Sequence, residues 1–255
     1  MIKLIQITDP HLVEPGELLL GLDPLARLEA CLAHVNAHHA DADLVVLSGD
    51  LTDDGSPAAY AALRDRLAGL KAPWRLMVGN HDDRDALLTA FPEVPSAGGF
   101  LQCSLDTRRG RVILLDTLEP GRVEGRLCPA RLAWLEAELD AASAQPAYIF
   151  MHHPPFRVHL PALDAVRLVD VDAFLDVIGR HGAVRHIFAG HVHRPISGVW
   201  HGIGFSTLFG TSHQAEAIFN EKRFATSLEA PAYGVILIEP DSVVVLSVGF
   251  LEPSV

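Results

Sequence analysis

The sequence predicts an α/β fold: one domain over residues 1–255, with two mixed β-sheets at its core and helices outside. Three observations carry this. Up to about Pro92, apolar runs alternate with amphipathic segments in the order β-α-β-α-β-α, which implies parallel strands with right-handed crossovers. From Phe100 the pattern changes to alternating runs and, later, short strands, which adds antiparallel pairs. Five apolar runs also end in turns that carry Asp, Asn and His. Open α/β sheets place ligands at the carboxyl ends of their strands.

Each element has a local reason. Met1 to Ile7 reads as the first strand and runs into Asp9-Pro10-His11. Asp23 is an N-cap with Pro24 at the first helical position, and Leu25, Leu28, Leu32 and Val35 share one face. His34, His38 and His39 fall in the solvated last turns of that helix, which the helix dipole favours. Leu44 to Leu47 is apolar throughout, as in a strand buried on both faces, and reaches Asp50 through Ser48-Gly49. Ser56-Pro57 opens a helix through Leu63, Leu67 and Leu70. Arg75 to Val78 forms the third strand and leads into Gly79-Asn80-His81-Asp82. Residues 82–85 then make the acidic first turn of a helix that ends before Pro92.

Phe100 to Leu105 and Arg111 to Asp116 form a hairpin around Thr107-Arg108-Arg109-Gly110. Pro129 opens a helix carrying Leu132, Leu135 and Leu139. Tyr148 to Met151 delivers His152-His153-Pro154. A Pro-containing loop and a helix from about Asp172 to Arg180 follow, and His186 to Ala189 delivers Gly190-His191-Val192-His193. Short strands complete the chain: Gly198 to Trp200, Gly204 to Leu208, Val235 to Ile238 and Val243 to Val248. Between them Ala215 to Pro231 is mixed and charged, a surface loop or protruding hairpin.

Composition excludes several classes. A hydrophobic fraction of 49% supports a sizeable core, and no apolar run has the length of a membrane span. Asp9 and His11 interrupt any signal-peptide reading, and three unpaired cysteines fit a reducing compartment, so a cytoplasmic protein is expected. The net charge of −12 argues against nucleic acid as a partner.

The motifs Asp9-x-His11, Gly49-Asp50, Gly79-Asn80-His81-Asp82, His152 and Gly190-His191-x-His193 point to metal. Two adjacent ions need about seven protein ligands, one of them bridging. A central carboxylate suits the bridge, because its oxygens can bind different ions and its charge offsets their repulsion. His and carboxylate ligands mixed with an amide suit Mn, Fe, Zn or Co.

In that order these motifs resemble those of the calcineurin-like metallophosphoesterase superfamily, D-x-H, G-D, G-N-H-[DE], H and G-H-x-H, from Asp9 to His193. The resemblance implies a four-layer αββα sandwich of two mixed sheets flanked by helices. It implies two divalent metal ions, with Asp9, His11 and His193 on one, Asn80, His152 and His191 on the other, and Asp50 bridging. The H-x-P turn of the family selects His152 over His153, which then lies behind the metal or in the core. His81 resembles the family histidine that faces the substrate phosphate without binding metal.

Within the superfamily the chain most resembles bacterial glycerophosphodiesterases and class III cyclic-nucleotide phosphodiesterases. The stretch Gly210-Thr211-Ser212-His213-Gln214 resembles one that places a histidine by the substrate; the other reading of His213 is an ordinary turn. Asp82 either orients His81 or caps a helix; Asp53 and Asp54 read as capping or solvating the next helix, with a bond from Asp53 to a ligand as the other reading. His159 is expected to border the pocket, whereas His181, His186 and His201 read as a helix end, a strand start and a solvent-facing hairpin.

The expected function is hydrolysis of small phosphodiesters of the glycerophosphodiester type: the metals lower the pKa of a shared bridging water, and the hydroxide attacks phosphorus in line. Asp50, Asn80 and His81 would carry catalysis, with Asn80, His81 and His213 on the substrate. The alternatives are a 3′,5′-cyclic-nucleotide phosphodiesterase on the same machinery, or a silent metal-binding scaffold, which loss of ligands would favour. The resemblance also implies a homo-oligomer, at least a dimer, with no membrane partner.

Overall fold

The computed structural model describes residues 1–143 and 145–251; the single-domain reading of residues 1–255 extends over Ala144 and residues 252–255, which lie outside the described residues. In chain order the elements are β1 (Ile2–Ile7), α1 (Pro24–His38), β2 (Leu44–Ser48), α2 (Pro57–Leu67), β3 (Trp74–Met77), α3 (Arg84–Ala90), β4 (Cys103–Thr107), β5 (Gly110–Leu115), α4 (Pro129–Ala142), β6 (Ala147–Met151), α5 (Pro161–Asp164), α6 (Val171–His181), β7 (Val184–Ala189), β8 (Ser197–Trp200), β9 (Ile203–Ser206), β10 (Gln214–Ala215), β11 (Thr226–Ser227), β12 (Ala232–Ile238) and β13 (Val243–Gly249).

Two large mixed sheets result. The first has the order β13-β12-β1-β2-β3, and the second β4-β5-β6-β7-β9-β8. Strands β1, β2 and β3 are parallel, while β12 returns antiparallel beside β1. Strands β5, β6, β7 and β9 are parallel, edged by antiparallel β4 and β8. Every ligand-bearing strand is therefore parallel to its ligand-bearing neighbours, so their carboxyl ends emerge at one rim.

The alternation of side chains builds four layers. Leu4, Val46, Met77 and Ile236 of the first sheet meet Val112, Leu114, Phe150 and Phe188 of the second in a core between the sheets. The residues beside them in sequence point the other way. Ile5, Val45, Leu47 and Leu76 pack against Leu28 and Val35 of α1, Leu63 of α2 and Leu87 of α3. Ile113, Ile149, Met151 and Ile187 pack against Leu135 and Leu139 of α4 and Phe174 and Ile178 of α6. Both faces of each sheet are covered, which is why the central strands read as continuous apolar runs.

Local signals hold at most boundaries. The Asp23 carboxylate accepts from the Ala26 N–H at 3.0 Å, and α1 begins at Pro24. Helix α2 is shorter than its leucine spacing suggests. It stops at Leu67, and Leu70 closes a turn beyond it through its N–H to Leu67 O. The one-turn helix α5 falls in the Pro-containing loop and was not expected. The stretch from Ala215 to Pro231 is the protruding hairpin, with Gln214 opposite Ser227 and Ala215 opposite Thr226. Among the described residues no helix is long and apolar enough to cross a membrane.

Candidate metal centre

Strands β1, β2, β3, β6 and β7 end at one rim, and the turns after them converge. The loops after β1 and β2 zip together: Asp9 N–H donates to Gly49 O, His11 N–H to Asp50 O and Leu12 N–H to Leu51 O. Asp9, His11, Asp50, His191 and His193 all have a left-handed backbone, with φ of 52°, 45°, 47°, 66° and 50°. That conformation is costly outside glycine and collects at functional sites. Here it turns each side chain inward straight after a buried strand. The backbones also approach closely, since a Cβ added at Gly79 would overlap the Asp50 carboxylate and the His152 ring.

The side chains form one cluster. His193 Nε2 lies 3.3 Å from Asp9 Oδ1 and 3.1 Å from His11 Nε2. Asp50 Oδ2 lies 3.6 Å from His11 Nε2 on one side and 3.2 Å from His152 Nε2 on the other. Asp50 thus stands between Asp9, His11 and His193 on one flank and His152 on the other. The His191 ring packs edge-on to His152 with centroids 5.3 Å apart.

The partners behind the rings decide where their lone pairs point. His152 Nδ1 donates to Ser48 O at 2.9 Å, and His193 Nδ1 donates to His213 O at 2.8 Å. A carbonyl can only accept, so both rings carry a proton on Nδ1, which leaves Nε2 turned to the centre as the nitrogen able to ligate once deprotonated. His11 Nδ1 donates to Asp53 Oδ1 at 3.0 Å, with the same outcome. His11 and His193 then face each other through two acceptor nitrogens at 3.1 Å. A hydrogen bond between them needs one ring as imidazolium, whereas a cation satisfies both. His152 Nε2, His191 Nε2 and Asn80 Oδ1 are buried without hydrogen-bond partners. Buried polar atoms are rarely left so, and these are imidazole and amide donors of the kind divalent transition metals take. The donor set fits a divalent metal centre.

Electrostatics agree. Burial alone would raise the Asp9 and Asp50 carboxyls, but His193 beside Asp9 and His152 beside Asp50 hold both well below the usual range. Burial would lower His152, yet Asp50 and Asp9 hold it up at about 9, so without an ion its Nε2 carries a proton facing the two carboxylates, the position a bound cation would take over. Burial, with His152 close by, pushes His191 down to about 3, which keeps it neutral and ready to ligate.

The other expectations sort as follows. Asn80, His81 and His213 line a cavity of about 310 Å³ with His11, Asp50, His191 and His193, while Asp9 and His152 lie fully buried beneath it. His153 Nδ1 shares a hydrogen bond with the Thr117 hydroxyl at 2.8 Å and Nε2 donates to Val123 O at 3.1 Å, so neither nitrogen is left for a metal. His213 is buried, with its ring centroid 4.7 Å from that of His193 and its Nδ1 unpartnered. His159 is a correction. It lines a separate depression with Arg157 and Trp200, because the left-handed turn at His159 (φ 60°) carries it away from the metal cavity.

Asp82 is the residue whose part was missed. It neither orients His81 nor caps α3; Asp83 caps α3 by accepting from the Ala86 N–H. Buried Asp82 accepts from the backbone N–H groups of Leu51, Thr52 and Gly79 and from the Thr52 and Tyr60 hydroxyls, at 2.9–3.3 Å. It locks the turn carrying Asp50 to the turn carrying Asn80. Burial and the nearby Asp50 push it up to about 6. We predict that Asp82→Ala, which strands several buried donors, destabilises the fold by about 3–5 kcal/mol. Urea denaturation beside Asp83→Ala checks this: the cap should cost only about 1 kcal/mol.

Comparisons with known proteins agree with this geometry. A family model described as calcineurin-like phosphoesterase matches residues 2–195. A Rhodopseudomonas palustris protein named "probable cyclic nucleotide phosphodiesterase" is 42% identical over 254 residues, 98% of this chain and 93% of that one. The glycerophosphodiester phosphodiesterase of Enterobacter lignolyticus is 28% identical over 234 residues, 90% of this chain and 84% of that one. A dimetal phosphatase from Danio rerio shares the fold, with a TM-score of 0.74 at 17% identity over 98% of this chain and 97% of that one. The motifs from Asp9 to His193 fall inside the matched region, and the chain belongs to the calcineurin-like phosphoesterase family.

Proposed function

We propose that the chain is a metal-dependent hydrolase of small phosphodiesters. The observation that carries this is the meeting of the inward-turned imidazole nitrogens and the Asn80 amide oxygen with two ionised carboxylates at and beneath the floor of one cavity. In this reading Asp9, His11 and His193 would hold one divalent ion, Asn80, His152 and His191 a second, and Asp50 would reach both. Manganese, iron, zinc or cobalt suits such donors. When bound, such ions supply Lewis acidity, a lowered water pKa and charge neutralisation at the phosphoryl oxygens.

The chain's own residues do the rest. His81 Nδ1 donates to Asp53 O at 2.7 Å, which turns Nε2 toward the cavity. As imidazolium, His81 donates from Nε2 to a phosphoryl oxygen or to the leaving alkoxide. Asn80, through its amide N–H, and His213 orient the phosphoryl group. Asp53 supports two partners at once: its carboxylate holds His11 and its carbonyl holds His81.

Two substrate readings share this machinery, glycerophosphodiesters and cyclic nucleotides; the similarity to the Rhodopseudomonas palustris protein favours the second. A silent scaffold has no support, since every expected ligand is present. The test is a kinetic panel of glycerophosphodiesters, 3′,5′-cyclic nucleotides and phosphomonoesters, with metal content measured in the same sample. Two ions per chain and diester turnover are expected. One ion or none after reconstitution with excess Mn or Zn would overturn the dinuclear reading.

A further inference from the structure

We propose that the cavity wall above the metal centre is a slot for a planar aromatic group, and that Phe224 selects the diester by the group it carries. The inference rests on the phosphodiesterase reading and names its substrate class: diesters bearing a nucleobase or an aryl ring.

The cavity has two unlike halves. Its floor holds Asp50, Asp53, Asn80 and the histidines. Its wall is Val123, Ala162, Leu163, Val166 and Phe224, drawn from three separate segments. Val123 comes from the loop after β5, the middle three from α5 and the turn beyond it, and Phe224 from the hairpin of β10 and β11. Among the described residues, no lysine or arginine lines the cavity. A diester whose second group is a serine carboxylate finds no counter-charge there. Glycerol hydroxyls would face carbon, where a hydroxyl without a partner is penalised. A flat, mostly apolar ring meets neither cost.

Phe224 and Val123 are 52% and 51% exposed, so neither belongs to the packed core. Phe224 is nonetheless held in place. It precedes Ala225, whose carbonyl accepts from Glu216 N–H at 2.8 Å beside the paired strands. Arg194 fixes the same hairpin from the side, donating to Ala215 O at 2.6 Å and pairing with Glu229. Of the other large apolar residues of the hairpin, Phe219 and Leu228 are exposed and Ile218 is half-buried, and none of the three lines the cavity. Among these four, Phe224 lines the cavity, from near the hairpin base rather than from its tip.

The test uses the manganese-loaded protein with 3′,5′-cyclic AMP and glycerophosphoethanolamine. Phe224→Ala should raise KM for cyclic AMP about ten-fold with kcat nearly kept, the scale of one lost aromatic stack. It should leave kcat/KM for glycerophosphoethanolamine within about two-fold, because no stack is lost. Phe224→Tyr should restore the cyclic AMP KM. Adenosine, which has no phosphorus, should bind the variant about ten-fold more weakly by calorimetry. Equal loss on both diesters, or unchanged KM for cyclic AMP, overturns the slot. If the native protein turns over neither diester, the phosphodiesterase reading fails instead, and adenosine calorimetry alone decides the slot: weaker binding by Phe224→Ala keeps it, equal binding overturns it.

Discussion

Asp50→Ala is expected to hold at most one divalent ion and to lose more than about 10³-fold in kcat/KM on any phosphodiester. Each of the other proposed ligands serves one flank of the cluster. Asp50 Oδ2 faces both, at 3.6 Å from His11 and 3.2 Å from His152. Removing Asn80 opens a coordination position that water can fill. In the dinuclear reading, removing Asp50 would delete the negative charge between the two cations, and like charges in a buried site would then repel with little to offset them. Asp50 Oδ1 also accepts from the His81 N–H at 2.9 Å, so the turn carrying Asn80 and His81 loses an anchor. The apolar strand behind Asp50 is untouched, so the fold should survive. The check is a metal titration and diester assay run beside Asn80→Ala. If Asp50→Ala bound two ions as tightly as Asn80→Ala and turned over faster, the bridge would be elsewhere.

His81→Ala should do the opposite to the two readouts: keep its metals and lose about 10²–10⁴-fold in kcat. The ring lies against the His11 ring, with centroids 4.7 Å apart, but its Nδ1 is engaged by Asp53 O and its side chain is 40% exposed at the cavity. It lines the cavity, where the proposed mechanism has it meet the substrate. The size of the loss should depend on the leaving group. An aryl diester, whose phenolate departs without a proton, should lose less than an alkyl diester if His81 acts as the acid. Metal analysis with kinetics on both substrates separates the roles. Full metal loss, or unchanged turnover on both, would contradict the placement of His81.

Most of the centre is legible in the sequence because two signals coincide at each motif. A strand covered on both faces must be apolar throughout, as at Leu44 to Leu47, and a polar residue just past its end then stands out. What is not legible depends on long-range placement. Asp82 and Asp83 are adjacent carboxylates before a helix, yet one is an ordinary cap and the other joins two turns through donors about thirty residues away. Helix α5 is a single turn, too short for periodicity to register. Phe224 sits in a mixed, charged stretch, where only the hairpin register shows that it faces the cavity. The pairing of β12 with β1 joins the two ends of the chain, and no local pattern announces it.

The centre draws on both sheets. Asp9, Asp50 and Asn80 follow strands of the first, and His152, His191 and His193 follow strands of the second. A divalent ion held by these residues as proposed would act as a rivet through the two halves of the sandwich, and its binding energy would become folding energy by mass action. Loss of such an ion would then cost stability as well as activity. A metal-free copy would carry an unriveted seam and five residues in costly left-handed turns, and would be expected to open more often. The residues proposed for hydrolysis would thus also tie the two sheets together, which a chelator titration followed by urea denaturation would read as a lowered midpoint.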